Sequence, residues 1–238
     1  MLHGFGGTGH HWDRVVALSD RERYSPLALD LGAAEPLTLA GAIDLISAAA
    51  PRRFILCGYS MGGRIALHAA AAMPERISRL VLVSGTAGIE DRSERAARLA
   101  ADELLASQLE AGTIEDFVER WRGVALFDGD PGWVDAAITE DQRRLTPRQH
   151  AAVLRAFSAG VLEPLWDRLG GIATPTVVLA GERDQRYREA GRRLAALLPE
   201  GSYETVAGSG HRIALEAPGA VVAAWGVRDT ASGPTRSG

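Results

Sequence analysis

Residues 54–64 read Phe-Ile-Leu-Cys-Gly-Tyr-Ser-Met-Gly-Gly-Arg, and the organisation of the whole chain can be worked out from them. The apolar run Phe54–Cys57 has the length and composition of a buried strand. Gly58-Tyr59-Ser60-Met61-Gly62 follows at once, and helical spacing resumes from Arg64 to Met73 before stopping at Pro74. A strand that passes straight into a helix through Gly-x-Ser-x-Gly implies a turn too tight for side chains at the flanking positions. Such a turn lifts the serine hydroxyl clear of the sheet at a helix N-terminus, where the dipole favours developing negative charge. Ser60 is therefore the candidate nucleophile. The competing reading is an ordinary glycine-rich turn, and the strand-then-helix context is what argues against it.

Working outward, Leu27–Asp30, Arg79–Val83, Thr176–Ala180 and Ser202–Val206 read as further strands, and Leu39–Ala50 as a helix ending at Pro51. Strands alternating with helices predict a mostly parallel sheet covered on both faces. Between about Glu90 and Ala159 the alternation breaks into helical segments without a convincing strand. Thr113 opens an apolar-periodic run, and Thr146-Pro147 is a good helix start, hydroxyl as cap and proline at the first position. The expectation is an α/β-hydrolase fold with a core of residues 1–89 and 160–228 and an inserted helical cap of residues 90–159. The small polar tail, 229–238, reads as disordered. Only Met1 and Leu2 precede the His3-Gly4 loop, so the N-terminal strands are expected to be missing or short.

A serine hydroxyl becomes a base or nucleophile only when a histidine takes its proton and an acid orients that histidine. In this fold the order along the chain is serine, acid, histidine. Asp184 follows the Thr176 strand in Gly-Glu-Arg-Asp, and His211 follows the Ser202 strand in Gly-Ser-Gly-His. Both lie past the carboxyl ends of strands, where such sheets assemble their sites. Glu182 is a rival acid, and Asp184 is preferred because it lies further beyond the strand end. Backbone N–H groups of Phe5, in His3-Gly4-Phe5-Gly6-Gly7, and of Met61 would form an oxyanion hole. His68 belongs to the nucleophile helix and His150 to the cap. His3, His10 and His11 lack the carboxylate or cysteine that would complete a metal site, so no metal is expected.

Composition narrows the classes. The chain has 238 residues, a net charge of −4 and a single cysteine, Cys57. One cysteine excludes an intrachain disulfide framework, and the mild negative charge gives no support to nucleic-acid binding. No apolar run reaches the roughly 18–20 residues of a membrane span, and there is no secretory signal, so a cytoplasmic location is expected. All 26 basic residues are arginine. A lone arginine is thus uninformative unless it occupies a defined motif position.

Several stretches together resemble one family in particular, the 2-succinyl-6-hydroxy-2,4-cyclohexadiene-1-carboxylate synthases of menaquinone biosynthesis. They are His-Gly-Phe-Gly-Gly-Thr-Gly-His-His-Trp at 3–12, Gly-Tyr-Ser-Met-Gly-Gly-Arg at 58–64 and Pro-Glu-Arg-Ile-Ser-Arg-Leu-Val-Leu-Val-Ser at 74–84. Glu-Arg-Ala-Ala-Arg at 94–98, the segment from Phe117 to Phe127 and Gly-Glu-Arg-Asp at 181–184 extend the likeness over nearly the whole chain. The resemblance implies a lyase that eliminates pyruvate, with the serine–histidine–aspartate set as base, no acyl-enzyme and no cofactor. It also implies a small substrate carrying three carboxylates. Arg64, four residues after Ser60 and so one helical turn along the same face, Arg98 and Arg144 would bind these, and Tyr59, Trp121 and Phe127 would be aromatic contacts. Each arginine has the alternative of a solvated surface charge. The sequence departs from the family where Leu31-Gly32-Ala33-Ala34 replaces a Pro-Gly-His-Gly motif and where Leu145-Thr146-Pro147 replaces an asparagine-rich segment. A serine esterase or carbon–carbon hydrolase working through an acyl-enzyme is the second reading. A binding protein without chemistry is the third, and a complete serine–histidine–acid set argues against it.

Overall fold

The computed structural model describes residues 1–226, and the expectation for the 229–238 tail lies outside them. Four strands, β1 (Phe54–Tyr59), β2 (Ile77–Val83), β3 (Thr176–Gly181) and β4 (Gly201–Val206), form one parallel sheet in sequence order. The register pairs Tyr59 with Val83, Val83 with Leu179 and Gly181 with Val206, so the carboxyl ends of all four strands finish along one edge. Leu27–Asp30 is not a continuous strand. Leu29 makes an isolated bridge to Leu2, which also bridges Gly58, and Met1 adds backbone hydrogen bonds to Leu27 and Leu29.

Side chains alternate across the sheet, and each face buries a separate set. Leu56, Leu80, Leu82 and Val178 pack under the helices α2 (Leu39–Ala49), α3 (Met61–Ala72) and α8 (Gln185–Leu197). Cys57, Tyr59, Val81, Val83 and Leu179 face α1 (Asp13–Leu18) and α10 (Pro218–Trp225), where Trp12 and Trp225 close the opposite core. A short helix, α9 (Ile213–Glu216), precedes α10. Covering both faces of a parallel sheet in this way explains why its strands read as continuous apolar runs.

Residues 92–157 contain four helices and no strand: α4 (Arg92–Ala111), α5 (Ile114–Arg122), α6 (Gly132–Gln142) and α7 (Pro147–Phe157). Thr113 and Thr146 each start their helix with a reciprocal capping box, to Asp116 and Gln149. Such caps are worth about 1 kcal/mol each. The block has its own apolar cluster of Ala106, Leu109, Phe117, Ala151 and Leu154, and Phe5 of the sheet-edge loop packs into it. Two hydrogen bonds from Thr8, its N–H to Asp141 Oδ2 at 2.9 Å and its hydroxyl to Asp141 Oδ1, tie that loop to the end of α6. Among the described residues no helix is long and apolar enough to cross a membrane.

Candidate active site

Two glycines set the shape of the turn after β1. A Cβ on Gly58 would lie 2.4 Å from the Gly62 carbonyl oxygen, and one on Gly62 would lie 2.4 Å from that of Leu2. The residue between them, Ser60, is held at φ 51° and ψ −108°, a strained conformation for a residue with a side chain. Its N–H donates to the Val83 carbonyl at 2.9 Å, which pins the turn to the next strand.

The neighbouring strand ends supply the rest. Asp184 caps α8, its Oδ1 accepting from the Tyr187 N–H at 3.2 Å. Its Oδ2 accepts from His211 Nδ1 at 2.6 Å, and the Ser60 hydroxyl donates to His211 Nε2 at 3.1 Å. One neutral tautomer, protonated on Nδ1, satisfies both contacts. His211 is buried, and burial lowers its proton affinity below the ordinary value, with the Asp184 hydrogen bond and charge pulling the other way. The arrangement is therefore a serine hydroxyl facing a basic nitrogen, with a buried carboxylate fixing the ring. Glu182, the rival acid, is turned elsewhere and accepts from the Gly208 N–H at 2.8 Å.

Ser84, which sequence reasoning missed, stands where β2 ends, one position past the residue paired with Tyr59. It has φ 48°, and its hydroxyl donates to the His211 carbonyl at 2.8 Å, fixing the backbone that carries the imidazole. The signal was there in Val-Leu-Val-Ser, a strand running into a serine in register with the first. Tyr187 was also missed, although it lies three residues into the helix that Asp184 caps. Its ring centroid is 4.4 Å from that of His211.

The N–H groups of Phe5 and Met61 have no acceptor among the described residues. The Phe5 ring meets Trp121 at 5.0 Å and Phe117 at 5.8 Å. Trp121 in turn lies 5.6 Å from Phe127, and Phe127 lies 5.9 Å from His211. An aromatic series thus runs from the Phe5 loop through the helical block to the histidine. Gln142, also missed, is buried near Gly6, and its Nε2 has no acceptor among the described residues. Tyr59 sits differently from the other aromatics: it is buried, stacked on His11 at 4.5 Å and 5.3 Å from His211, so it backs the histidine ring.

The three arginines fare differently. Arg64 is 8 % exposed, a cation held away from water. One amino group reaches the Phe157 carbonyl at 3.5 Å, and its Nε has no partner among the described residues. Burial lowers its pKa, and Tyr187, Arg98, Asp102 and Arg186 are close enough to act on its charge. Arg98 pairs through Nε with the buried Asp102 at 2.7 Å, which also accepts from the Ser158 hydroxyl at 2.6 Å. Arg144 is not brought to this group. It pairs with Glu140 at 3.1 Å, one turn back on α6, and with Asp141 at 3.8 Å, beside a surface groove shared with His10, Arg14 and Trp133. A long side chain on an exposed helix end takes the nearest carboxylate, and here that lies on the outer face.

Three of the remaining histidines have hydrogen-bonding or ionic partners. His3 accepts from the Leu31 N–H at 3.0 Å and donates to the Gly4 carbonyl at 2.8 Å. His150 donates to the Gln142 carbonyl at 2.9 Å, and His10 pairs with Asp13. Among the described residues no three His, Cys, Asp or Glu side chains are grouped to hold a metal ion.

This fold and hydrogen-bonded serine–histidine–aspartate series agree with the sequence profile of the Alpha/beta hydrolase family, which matches residues 1–225; the chain belongs to that family. Within it the likeness is narrower. The chain is 28 % identical over 232 residues to the 2-succinyl-6-hydroxy-2,4-cyclohexadiene-1-carboxylate synthase of Salmonella typhimurium, covering 93 % of this chain and 89 % of that protein. A Bacillus subtilis protein provisionally given the same name is 32 % identical over 166 residues, which are 68 % of this chain but only 61 % of the relative's length. The solved structure of MenH from S. aureus superposes with a TM-score of 0.83 at 27 % identity, covering 93 % of this chain and 89 % of that one.

Proposed function

We propose that this protein is a lyase that eliminates pyruvate from 2-succinyl-5-enolpyruvyl-6-hydroxy-3-cyclohexene-1-carboxylate, giving 2-succinyl-6-hydroxy-2,4-cyclohexadiene-1-carboxylate. The observation that carries the reading is Arg64, a buried and under-partnered guanidinium one helical turn from a serine hydrogen-bonded to a neutral histidine. A hydrolase of neutral esters has no use for such a cation, whereas a substrate with three carboxylates needs fixed positive charge. The names of the relatives support the same choice.

In this reading the Ser60 oxygen, its proton drawn to His211 Nε2, removes a ring proton from the substrate. The ring C–H electrons move through the existing double bond to form the diene, and the C–O bond to the enolpyruvyl group breaks. The departing enolpyruvate takes a proton back from the protonated serine–histidine pair and becomes pyruvate, so the base is restored and no redox partner is required. Asp184 stabilises the imidazolium formed along the way. The Phe5 and Met61 N–H groups stabilise oxyanion charge as the electrons rearrange. Arg64 and Arg98 bind carboxylates, and the 92–157 block acts as a cap that brings Trp121 and Phe127 over the site and excludes water. The protein would act in the cytoplasm on a small molecule.

The test is pyruvate release from precursor generated in situ by the preceding enzyme, followed through diene absorbance with spontaneous elimination subtracted. Fast release that disappears in Ser60→Ala is the expected result. Release at background, together with a burst of product from chromogenic esters, would instead mark an acyl-enzyme hydrolase.

A further inference from the structure

Arg212, the residue after His211, is 2 % exposed, which is unusual for a long charged side chain. Its Nη1 lies 2.9 Å from Asp130 Oδ2 and donates to Asp135 Oδ1 at 2.9 Å. Its guanidinium carbon sits 3.9 Å from the centroid of the Phe127 ring. All three partners belong to the segment that leads into α6 and begins it. Arg183 also meets this segment. It donates to the Gly129 carbonyl and pairs with Glu216, whose second oxygen accepts from the Gly210 N–H at 2.9 Å. The residues adjoining two members of the serine–histidine–aspartate series, Arg183 beside Asp184 and Arg212 beside His211, therefore grip residues 127–135.

Such a cluster is a poor source of stability. Removing two or three charges from water costs about as much as their attraction returns, and well-packed apolar side chains often serve as well or better. The cost is visible at Asp130. Its carboxyl is pushed up to about 6 by burial, which outweighs the pull of Arg212 beside it, while Glu216 and Asp135 push the same way as burial and Arg183 opposes them. Among the described residues its Oδ2 has no hydrogen-bond donor beyond its ion pair with Arg212. What the charges supply is direction: a planar guanidinium stacked on one ring and held by two carboxylates has one orientation.

We propose that Arg212 is a positioning residue that fixes residues 127–135 over the His211 loop, seating Phe127, and through it Trp121, against the serine–histidine pair. The assignment of a substrate to that pair rests on the preceding reading; the clasp itself does not. It makes the helical block and the histidine loop one unit at this point, so loss of the clasp frees the block locally while the sheet stays intact.

Hydrogen exchange read by mass spectrometry on the full-length protein tests this. Arg212→Met strands the buried Asp130 carboxyl and the half-buried one of Asp135 and risks misfolding, so the decisive variant is Arg212→Met with Asp130→Asn and Asp135→Asn, which removes all three charges of the cluster. The expected result is a folded protein in which peptides covering 125–135 exchange about tenfold faster or more, while β1–β4 peptides keep wild-type protection. Arg212→Lys alone, which keeps the charge but not the fork, should restore part of the protection. In the pyruvate assay the triple variant should raise KM more than it lowers kcat. Wild-type exchange across 125–135 in the folded triple variant would overturn the proposal. Equal acceleration over the whole chain would overturn it too, since that is what a purely stabilising role predicts. Should wild-type protein release no pyruvate, the substrate reading fails, and the exchange pattern still decides the clasp.

Discussion

The edge of the sheet and the helical block above it are built by different rules. At the edge, short backbone turns hold each polar group: Ser60 sits in a turn that two glycines allow, Asp184 caps a helix, and Ser84 anchors the His211 carbonyl. Geometry there is set within a few residues of a strand end. In the block, long side chains carry the charges, and each settles on whichever carboxylate lies within reach. Arg98 finds the buried Asp102, Arg155 bridges Glu103 and Glu110, and Arg144 finds Glu140 on the outer face. Under the proposed function the first region would carry the chemistry, and the second, together with Arg64 on α3, the selectivity, so the two should respond to mutation differently.

The sharpest break between them is at the acid. Asp184→Asn leaves the fold in place but offers His211 an amide where it needs a carboxylate. Pyruvate release should fall about 10³- to 10⁴-fold, as it does when such an aspartate is replaced elsewhere. Glu182→Gln, two residues away and bonded among the described residues only to the Gly208 N–H, should change the rate by no more than about threefold. Comparable losses in both would mean the edge is less sharply divided than its hydrogen bonds indicate.

Acid pH should silence the edge. Burial lowers the His211 pKa, so the ring stays neutral at pH 7 and can accept the serine proton. Activity should hold as pH drops past the ordinary histidine value of about 6.5 and then fall tenfold per pH unit below the lowered one. The sign for stability agrees: the unfolded chain binds this proton at higher pH than the folded one, so acid favours unfolding. A pH–rate profile whose acid limb lies above 6.5 would contradict the burial argument.

Within the block, Arg98→Ala should cost about three- to tenfold in kcat/KM, because a half-exposed cation contributes less than a buried one. Arg144→Ala should change the same ratio by less than about twofold, since it removes an exposed ion pair with Glu140 and a long contact with Asp141, which keeps both its Thr8 hydrogen bonds. Steady-state kinetics on the two variants side by side measure how far into the block the site extends.

The same contrast explains what could be read in the sequence. Strands β1 to β4, helices α2 and α3 and the positions of Ser60, Asp184 and His211 after strand ends were legible, because glycine spacing, strand ends and caps are encoded locally. The Leu27–Asp30 run looked like a strand because its residues suit one. Pattern alone does not reveal that its neighbour, the Met1–Leu2 segment, pairs with it in a single isolated bridge. The arginines were harder. In Asp-Gln-Arg-Arg-Leu nothing in the residue types says which way Arg144 turns; the helical phase of Glu140 decides it. Arg212 carried no motif at all, and its role depends on Phe127, Asp130 and Asp135, which are brought to it only by the folded chain.

The most direct test of the account compares two substrates on Arg64→Ala: the tricarboxylate precursor and a neutral chromogenic ester that the same serine can attack. With the serine–histidine–aspartate set untouched, pyruvate release should fall about 10- to 100-fold in kcat/KM, the worth of one or two charge-assisted hydrogen bonds. Ester turnover should stay within about threefold of wild type. Equal losses on both substrates would make Arg64 a structural residue of α3 and remove the main support for a carboxylate-rich substrate.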